Sequence, residues 1–200
     1  MKVVLFCGGL GTRLREYGDG IPKPLVPIGY RPILWHVMRY YAHYGHKDFI
    51  LCLGHKADKI KEYFLNYNQY ANNDFTMRNG QKELQGSSPD VHDWNITFVD
   101  TGLKSNIGMR LMLIKPYLQG DEMFLANYSD GLTDLPLDSM IHEFAATDKV
   151  ASFVCSHRHR ASTWFLLART RTLTASSTCA RRTSSSTRAI SCFASPSSTT

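Results

Sequence analysis

A glycine-rich loop directly after an apolar run constrains this chain more than any other feature. Residues Val3 to Phe6 are apolar and predict a buried strand, and Gly8, Gly9 and Gly11 follow it. Because glycine has no side chain to block an approach, such a loop brings backbone N–H groups close to phosphate oxygens. The sequence therefore predicts an anion-binding loop at the carboxyl end of a first strand, where open α/β sheets bind their ligands.

Two basic residues accompany this loop. Arg13 lies just after the last glycine, and Lys23 lies between Pro22 and Pro24. A guanidinium offers a planar fork for phosphate oxygens, whereas an ammonium offers a compact point charge. Proline on both sides of Lys23 restricts the backbone there. The pattern favours a phosphate-binding site over a surface turn that binds nothing.

The spacing of the glycines argues against two common phosphate-binding patterns. The dinucleotide fingerprint G-x-G-x-x-G requires a glycine three positions after Gly11, and that position holds Leu14. The P-loop pattern requires Gly-Lys followed by Ser or Thr, and no such segment follows the glycines. A nicotinamide-dependent enzyme and a P-loop nucleotide hydrolase are both disfavoured.

Predicted strands and helices alternate along the first 154 residues, which is typical of a parallel sheet with right-handed crossovers. We expect a doubly wound α/β layer with a mostly parallel, Rossmann-like sheet. In such a sheet the strands that end at Cys7 and Ala126 open on the same edge, which brings the glycine loop and Asp130 together. The predicted strands are Lys2–Cys7, Phe49–Leu53, Asn95–Asp100, Met123–Ala126 and Val150–Cys155, and the predicted helices are Ile33–Tyr44, Ala57–Asn66, Gly108–Tyr117 and Leu137–Thr147.

Two parts of this pattern are less regular. The segment Tyr67–Asp93 is polar with little periodicity, and it predicts an excursion or a small hairpin at the edge of the sheet. A subunit contact, a lid near the nucleotide and a solvated loop all remain open for it. In the predicted helix Gly108–Tyr117, Met109 and Met112 are interpreted as core residues rather than ligands.

Asp130 is the candidate metal ligand. It follows an apolar strand and is flanked by Ser129 and Gly131. An aspartate at such a place is by default a turn former or a helix cap. It also suits Mg²⁺, which proteins commonly hold with one or two carboxylates together with substrate phosphates.

The charge is distributed unevenly along the chain. The sequence carries a net charge of +6, but all 17 acidic residues and 16 of the 23 basic residues precede Ser156. The first part therefore has a net charge of −1, which removes the reason to expect nucleic acid or another acidic partner. Residues 156–200 hold seven arginines and 20 serines or threonines, with no acidic residue and no lysine.

The cysteines indicate a reducing compartment. Five cysteines are present, an odd number, and their spacing fits neither a metal site nor a disulfide framework. Cys7 and Cys52 fall in apolar strand runs and are interpreted as buried thiols. The sequence shows no signal-peptide pattern and no apolar stretch long enough to cross a membrane. A cytoplasmic location without a membrane partner is therefore expected.

The segments G-G-x-G-T-R and P-K-P, in this order, resemble the sugar-phosphate nucleotidylyltransferase family. Within the family the chain looks most like the enzymes that transfer a cytidylyl group to glucose 1-phosphate. The resemblance runs from Met1 to about Val154, so residues 1–154 are predicted to be the N-terminal, nucleotide-binding part of such a domain, truncated at its C-terminal half. The closer likeness is carried by Arg31–Met38, Asp48–Gly54, Ile60–Phe64, Val99–Gly102 and Asn127–Gly131.

The resemblance implies the reaction and its participants. CTP and glucose 1-phosphate would give CDP-glucose and pyrophosphate, with Mg²⁺ as cofactor and a homo-oligomeric full-length enzyme. UTP or dTTP in place of CTP, and a non-catalytic nucleotide-binding subunit, remain as alternatives.

The resemblance also implies roles for individual residues. Arg13 and Lys23 would be catalytic, with Arg13 on the leaving β- and γ-phosphates and Lys23 on the α-phosphate. Asp130 matches the aspartate of the family's G-D motif and would hold the metal, although Ser129 stands where glycine is frequent. Arg110 matches a family arginine that follows a glycine pair, of which Met109 replaces the second. The nucleotide-binding residues would be Phe6, Cys7, Gly8, Gly9, Leu10, Gly11, Thr12, Arg13, Ser105, Arg110 and Ser129.

Residues 155–200 are predicted to be a disordered Arg/Ser/Thr-rich tail produced by a frameshift near Val154–His157. In one alternative frame, freely chosen codons for Arg160–Phe165 are compatible with S-F-H-M-V, and those for Arg182–Pro196 with D-L-I-I-N-A-G-Y-F-V-L-R-Q-P. Both readings resemble family segments, P-P-x-S-F-H and I-N-x-G-Y-F. The alternative is a genuine basic tail that binds nucleic acid.

Overall fold

The computed structural model describes residues 1–9, 20–85, 91–156, 165–170, 179–182 and 189–194. Short 3-10 turns lie at Lys23–Leu25, Val91–Asp93 and Lys115–Leu118. In chain order the other elements are β1 (Lys2–Phe6), β2 (Pro27–Ile28), β3 (Arg31–Pro32), α1 (Ile33–His43), β4 (Asp48–Leu53), α2 (Ala57–Leu65), α3 (Gln69–Asn72), β5 (Phe75–Arg78), β6 (Gln81–Leu84), β7 (Asn95–Asp100), α4 (Ile107–Ile114), β8 (Met123–Tyr128), α5 (Leu137–Ala145), β9 (Ala151–Ser156), β10 (Phe165–Arg169), β11 (Cys179–Arg182) and β12 (Ala189–Ala194).

The main sheet has a parallel body. Its strand order is β11-β12-β9-β10-β8-β1-β4-β7, and the neighbours among β8, β1, β4 and β7 are parallel. In the register, Val3 lies between Phe49 of β4 and Leu125 of β8. The predicted α/β layer is confirmed. From β10 outward the described neighbours pair antiparallel, a change of direction that the sequence pattern did not predict.

The apolar run of β1 is buried on both faces of the sheet. Val3 and Leu5 pack on the side of α1, α2 and α5, whereas Val4 and Phe6 pack on the side of α4. A parallel strand covered on both faces needs such a continuous apolar run. Each large side chain buried in this way contributes about 1.5–3 kcal/mol. The first strand is thus fixed firmly, and so is the point at which the glycine loop leaves it.

One prediction about helix packing is wrong. Met109 and Met112 were expected in the core, but their side chains are 53% and 54% exposed. The helix α4 buries Arg110 and Ile114 instead, four residues apart on one face. The apolar period pointed to the wrong face because it counts arginine as an outward residue. Here Arg110 is buried because backbone and hydroxyl oxygens surround its guanidinium.

The polar excursion contains a small hairpin, as predicted. Strands β5 and β6 form a two-stranded sheet of their own, joined at Asn79 and Gly80, which both have positive φ. Arg31 ties the start of the excursion to α1, because its guanidinium donates to the Tyr67 hydroxyl and the Asn72 carbonyl. The same guanidinium lies 4.4 Å from the centre of the Trp35 ring.

Two further observations concern the cysteines and the membrane. Cys7 and Cys52 are buried free thiols, as predicted. Among the described helices, none has both the length and the apolar character needed to cross a bilayer.

The predicted boundary at Val154 falls within β9, and three described strands follow it. The frameshift stays a prediction.

Candidate active site

The candidate site lies where β1, β4, β7 and β8 end, on one edge of the sheet. Since these four strands are parallel neighbours, their carboxyl ends meet there. Of the predicted loop residues, Gly8 and Gly9 are described, whereas Leu10, Gly11, Thr12 and Arg13 lie outside the described residues. The glycine loop therefore starts at this edge, as the sequence predicted.

The two described glycines of the loop have different surroundings. Gly8 is buried, and a Cβ atom added to it would overlap the guanidinium of Arg110. Gly9 is exposed, and a Cβ added to it would have no other atom within 4 Å. The space beside Gly8 is thus filled by the protein itself, whereas the space beside Gly9 is open.

Lys23 lies between two prolines and is the first residue of a single 3-10 turn. Pro22 has an extended backbone, with φ −68° and ψ 146°, and its carbonyl accepts a hydrogen bond from the Leu25 N–H at 2.8 Å. Pro24 is buried beneath the turn. The prolines thus hold the backbone of Lys23 while its side chain stays about one-third exposed.

Asp130 lies in a turn that is held on both sides. The Ser129 hydroxyl donates to the Phe6 carbonyl at 3.0 Å, and the Asn127 amide donates to the Gly131 carbonyl at 3.1 Å. The Gly131 N–H closes the turn on the carbonyl of Tyr128. The carboxylate of Asp130 therefore stands at the end of β8, next to the end of β1.

The ammonium of Lys23 forms an ion pair with the carboxylate of Asp130. The structure thus brings together a predicted catalytic residue and the predicted metal ligand. Both side chains are partly exposed, 37% for the lysine and 23% for the aspartate. An exposed ion pair contributes only up to about 1 kcal/mol. Phosphate oxygens and a cation can therefore replace it at little cost.

The donor set suits a magnesium ion that is held mainly by its substrate. Asp130 offers one carboxylate at the strand ends, and Mg²⁺ is commonly bound by one or two carboxylates plus phosphate oxygens. Among the described residues, no group of three or more His, Cys, Asp or Glu side chains could form a full protein cage. Asp130 thus fits a metal that arrives with a nucleotide.

Arg110 is buried on the opposite side of β1 from this ion pair. Its exposed fraction is 5%. Its Nη1 donates to the Leu53 carbonyl at 2.9 Å and to the Thr101 hydroxyl, and its Nη2 donates to the Gly8 carbonyl at 3.2 Å. Its Nε donates to the Ser105 carbonyl at 3.1 Å. Arg110 thus joins the carboxyl ends of three parallel strands, β1, β4 and β7.

The remaining predicted binding residues lie at the same edge. Ser105 is half-buried and contacts Arg110 through its carbonyl, and Ser129 is buried with its hydroxyl bonded to Phe6. The Phe6 ring lies 6.0 Å from that of Tyr128. Burial raises the pKa of the Cys7 thiol, with a further contribution from Cys52, so Cys7 is a neutral packing residue. The roles of these residues in nucleotide binding stay predictions.

The sequence predicted no individual role for three residues at this edge. Thr101 donates its hydroxyl to the Leu53 carbonyl at 2.7 Å. A Cβ added to Gly54 would lie 2.9 Å from the Gly102 carbonyl and 3.1 Å from the Cα of Gly8. Asn127 is 1% exposed and braces the turn of Asp130. For Gly54 and Thr101 the available signal was a glycine or small polar residue directly after a buried parallel strand, and for Asn127 it was a polar residue near the end of one.

Comparison with known proteins gives the family. The model of the family described as nucleotidyl transferase matches residues 2–166. Glucose-1-phosphate cytidylyltransferase from Salmonella typhimurium is 43% identical over 156 residues, which are 78% of this chain and 60% of the relative. A probable glucose-1-phosphate cytidylyltransferase from Bacillus subtilis is 45% identical over 163 residues, which cover 76% of this chain and 63% of the relative. The chain thus spans under two thirds of the length of these relatives.

Solved structures share the fold. HddC from Yersinia pseudotuberculosis, complexed with GMP-PN, superposes with a TM-score of 0.58 at 21% identity, covering 85% of this chain and 77% of the other. UDP-glucose pyrophosphorylase complexed with UDP-glucose gives 0.54 at 15% identity, covering 84% and 68%. At such identities the likeness concerns the fold alone. The family match, together with the loop, the lysine turn and the aspartate at one sheet edge, shows that this chain belongs to the nucleotidyl transferase family.

Proposed function

We propose that residues 1–154 form the nucleotide-binding part of a cytidylyltransferase that acts on CTP and glucose 1-phosphate. The observation that carries the proposal is the meeting of Lys23 and Asp130 beside the start of the glycine loop. The 43–45% identity to two glucose-1-phosphate cytidylyltransferases supports this choice of substrates. CDP-glucose and pyrophosphate would be the products.

The proposed chemistry is an in-line displacement at the α-phosphorus of CTP. An oxygen of the sugar phosphate forms the new P–O bond, and the bond to the β-phosphate oxygen breaks, which releases pyrophosphate. Such a transfer needs positioning and charge neutralisation more than covalent help. In the proposal, residues Gly8 to Thr12 hold the phosphates, and Arg13 neutralises the leaving group. Lys23 stabilises charge at the α-phosphate.

A magnesium ion completes the proposed site. Asp130 would hold it, and the ion would neutralise phosphate charge when bound. The ammonium of Lys23 would then exchange its carboxylate partner for a phosphate oxygen. The hydrogen bonds of Ser129 and Asn127, which hold the turn of Asp130 on both sides, support this proposal.

Pyrophosphate release tests the proposal. This chain and a full-length fusion, in which residues 1–154 precede the C-terminal part of the Salmonella relative, are each incubated with glucose 1-phosphate, Mg²⁺ and one nucleotide. We expect the fusion to release pyrophosphate fastest with CTP, and this chain to release little or none. Faster pyrophosphate release with UTP or dTTP would show that this nucleotide, and not CTP, is the substrate. CTP binding without release by the fusion would instead favour a non-catalytic nucleotide-binding subunit.

We also propose that the reading frame changes near Val154–His157. Support comes from the charge distribution, since no acidic residue follows Ser156, and from the two family-like segments in one alternative frame. Sequencing the gene across these codons tests the proposal. A frame that stays open and colinear with the relatives' genes through Val154, without an insertion or deletion, would refute it. The full-length enzyme is proposed to be a homo-oligomer, which light scattering on the fusion measures directly.

A further inference from the structure

Arg110 is an unusual residue for a helix with an otherwise apolar sequence. It is the only charged residue of α4, and it is buried while Met109 and Met112 on either side of it are half exposed. Four of its five N–H donors reach oxygen atoms: the carbonyls of Gly8, Leu53 and Ser105, and the hydroxyl of Thr101. These oxygens belong to the last residue of β4 and to the loops after β1 and β7. One guanidinium therefore joins three neighbouring strand ends.

Burying the charge of Arg110 costs free energy, and the surroundings of its side chain explain how that cost is offset. Within the described part of the chain, Arg110 forms no ion pair with a carboxylate. A buried charge is expensive unless hydrogen bonds or an opposite charge compensate it. The four oxygens supply the hydrogen bonds, and phosphates bound by the adjacent glycine loop would supply the opposite charge.

The contact with Gly8 links this arrangement to the loop. The guanidinium occupies the space that a side chain at position 8 would need, and it donates to the Gly8 carbonyl. That carbonyl also accepts the His55 N–H at 3.5 Å. The orientation of the peptide after Gly8 is therefore fixed from the protein side, and the N–H of the exposed residue Gly9 belongs to the same peptide unit.

We propose that Arg110 is a positioning residue, which fixes the Gly8–Gly9 peptide and so orients the first N–H of the loop toward the phosphates of the nucleotide. The inference rests on the proposed function for the identity of the ligand. It goes beyond a ligand contact, because it assigns the effect of Arg110 to the shape of the loop. It also explains why position 8 holds glycine.

The first part of the test measures CTP affinity by calorimetric titration of the full-length fusion. The titration is done in the presence of Mg²⁺ and well below the melting temperature of the fusion. Arg110→Lys keeps the charge but loses the fork, and we expect it to weaken CTP binding about tenfold. Thr101→Val removes the hydroxyl that accepts from Arg110 and donates to the Leu53 carbonyl, but it leaves the charge untouched, and we expect about a threefold loss of CTP affinity. Lys115→Ala, which removes an exposed charge just after the same helix, is the matched control and should not change the affinity. The binding stoichiometry separates a change of affinity from a loss of folded protein.

A thermal double-mutant cycle gives the second part, and it needs no nucleotide. Gly8→Ala lowers the Tm through its clash with Arg110, and Arg110→Ala removes that clash. We expect the double variant to lose at least about 3 °C less than the sum of the single losses. Additive losses would overturn the proposed contact. Unchanged CTP affinity in Arg110→Lys would overturn the positioning role, and if no variant binds any nucleotide, the proposed function fails while the cycle still decides the contact.

Discussion

Two basic side chains reach the same edge of the sheet, and the fold treats them in opposite ways. Lys23 stands on a short turn, partly exposed, and pairs with the single carboxylate of Asp130. Arg110 is buried and bonded to oxygens from the ends of three strands. A ligand can replace the first contact easily, whereas replacing the second would open the strand ends. The difference is what the two proposed roles require, since Lys23 would exchange its partner for a phosphate and Arg110 would hold the strand ends in place.

The largest effect is expected on the Lys23 side. In the fusion enzyme, Lys23→Ala should reduce turnover on the order of 10²–10³-fold, because a preorganised donor to the developing charge is lost. CTP affinity and the Tm should change little, since an exposed ion pair contributes little to stability. Steady-state kinetics, calorimetry and thermal melting measure the three quantities.

Lys2 offers a matched control for this variant. Its ammonium lies 3.2 Å from the carboxylate of Asp121, in a similarly exposed ion pair near the opposite end of β1. Lys2→Ala should therefore leave turnover unchanged. Equal losses in both variants, or unchanged turnover in Lys23→Ala, would break the comparison by removing the chemical role of Lys23.

A smaller effect is expected from Asp130, the proposed metal ligand. Asp130→Asn should weaken CTP binding about 10–100-fold when Mg²⁺ is present, and much less in a chelator. Asp134→Asn, which removes an exposed carboxylate of the same loop, serves as the control. The quantity to compare is the ratio of CTP affinities with and without Mg²⁺. A ratio that Asp130→Asn leaves intact would show that this carboxylate holds no metal.

The Arg110 side should respond through stability instead. Gly54→Ala brings a Cβ to 2.9 Å from the Gly102 carbonyl, and we expect it to cost about 1–3 kcal/mol of unfolding free energy. Gly9→Ala meets no atom within 4 Å and should leave the stability nearly unchanged while weakening CTP binding. Urea unfolding and CTP titration of both variants distinguish the two outcomes. A destabilised Gly9→Ala with normal CTP affinity would reverse the assignment.

The smallest effect is expected from the two buried cysteines, Cys7 and Cys52. Burial raises the pKa of Cys52 from 9.0 to about 12 and also raises that of Cys7. Because the unfolded thiols ionise first, the folded state keeps its full stability below about pH 9 and loses stability as the pH rises. We expect the Tm to fall by several degrees between pH 8 and pH 11. The Cys7→Ala/Cys52→Ala variant should show a shallower fall, and parallel curves would show that these thiols are not protected.

Much of this arrangement follows from local patterns. The strand Asn95–Asp100 has its predicted bounds, and the predicted helix that starts at Ile33 ends one residue early. The shared edge of the glycine loop and Asp130 was predicted from the rule that parallel strands end together, and the register of β1 with β8 confirms it. These features depend on apolar runs and on breakers that a sequence displays directly.

The rest depended on contacts between distant segments. The apolar period of α4 favoured a face with Met109, because no rule of period counts an arginine as a core residue. Arg110 is acceptable inside only because Leu53, Thr101 and Gly8, up to 102 positions away, present oxygens to it. The pairing of Lys23 with Asp130 likewise needed the register of two strands. Long-range hydrogen bonds of this kind leave little trace in a local pattern.

The central place of β1 has a consequence for synthesis on the ribosome. Its residues emerge before those of both partner segments, which are Asp48–Cys52 on one side and Leu125–Tyr128 on the other. Until the second partner has emerged, one edge of an apolar strand stays without hydrogen-bond partners, which favours association with other chains. We expect nascent chains that stop between these two segments to need a chaperone more than shorter or longer ones do.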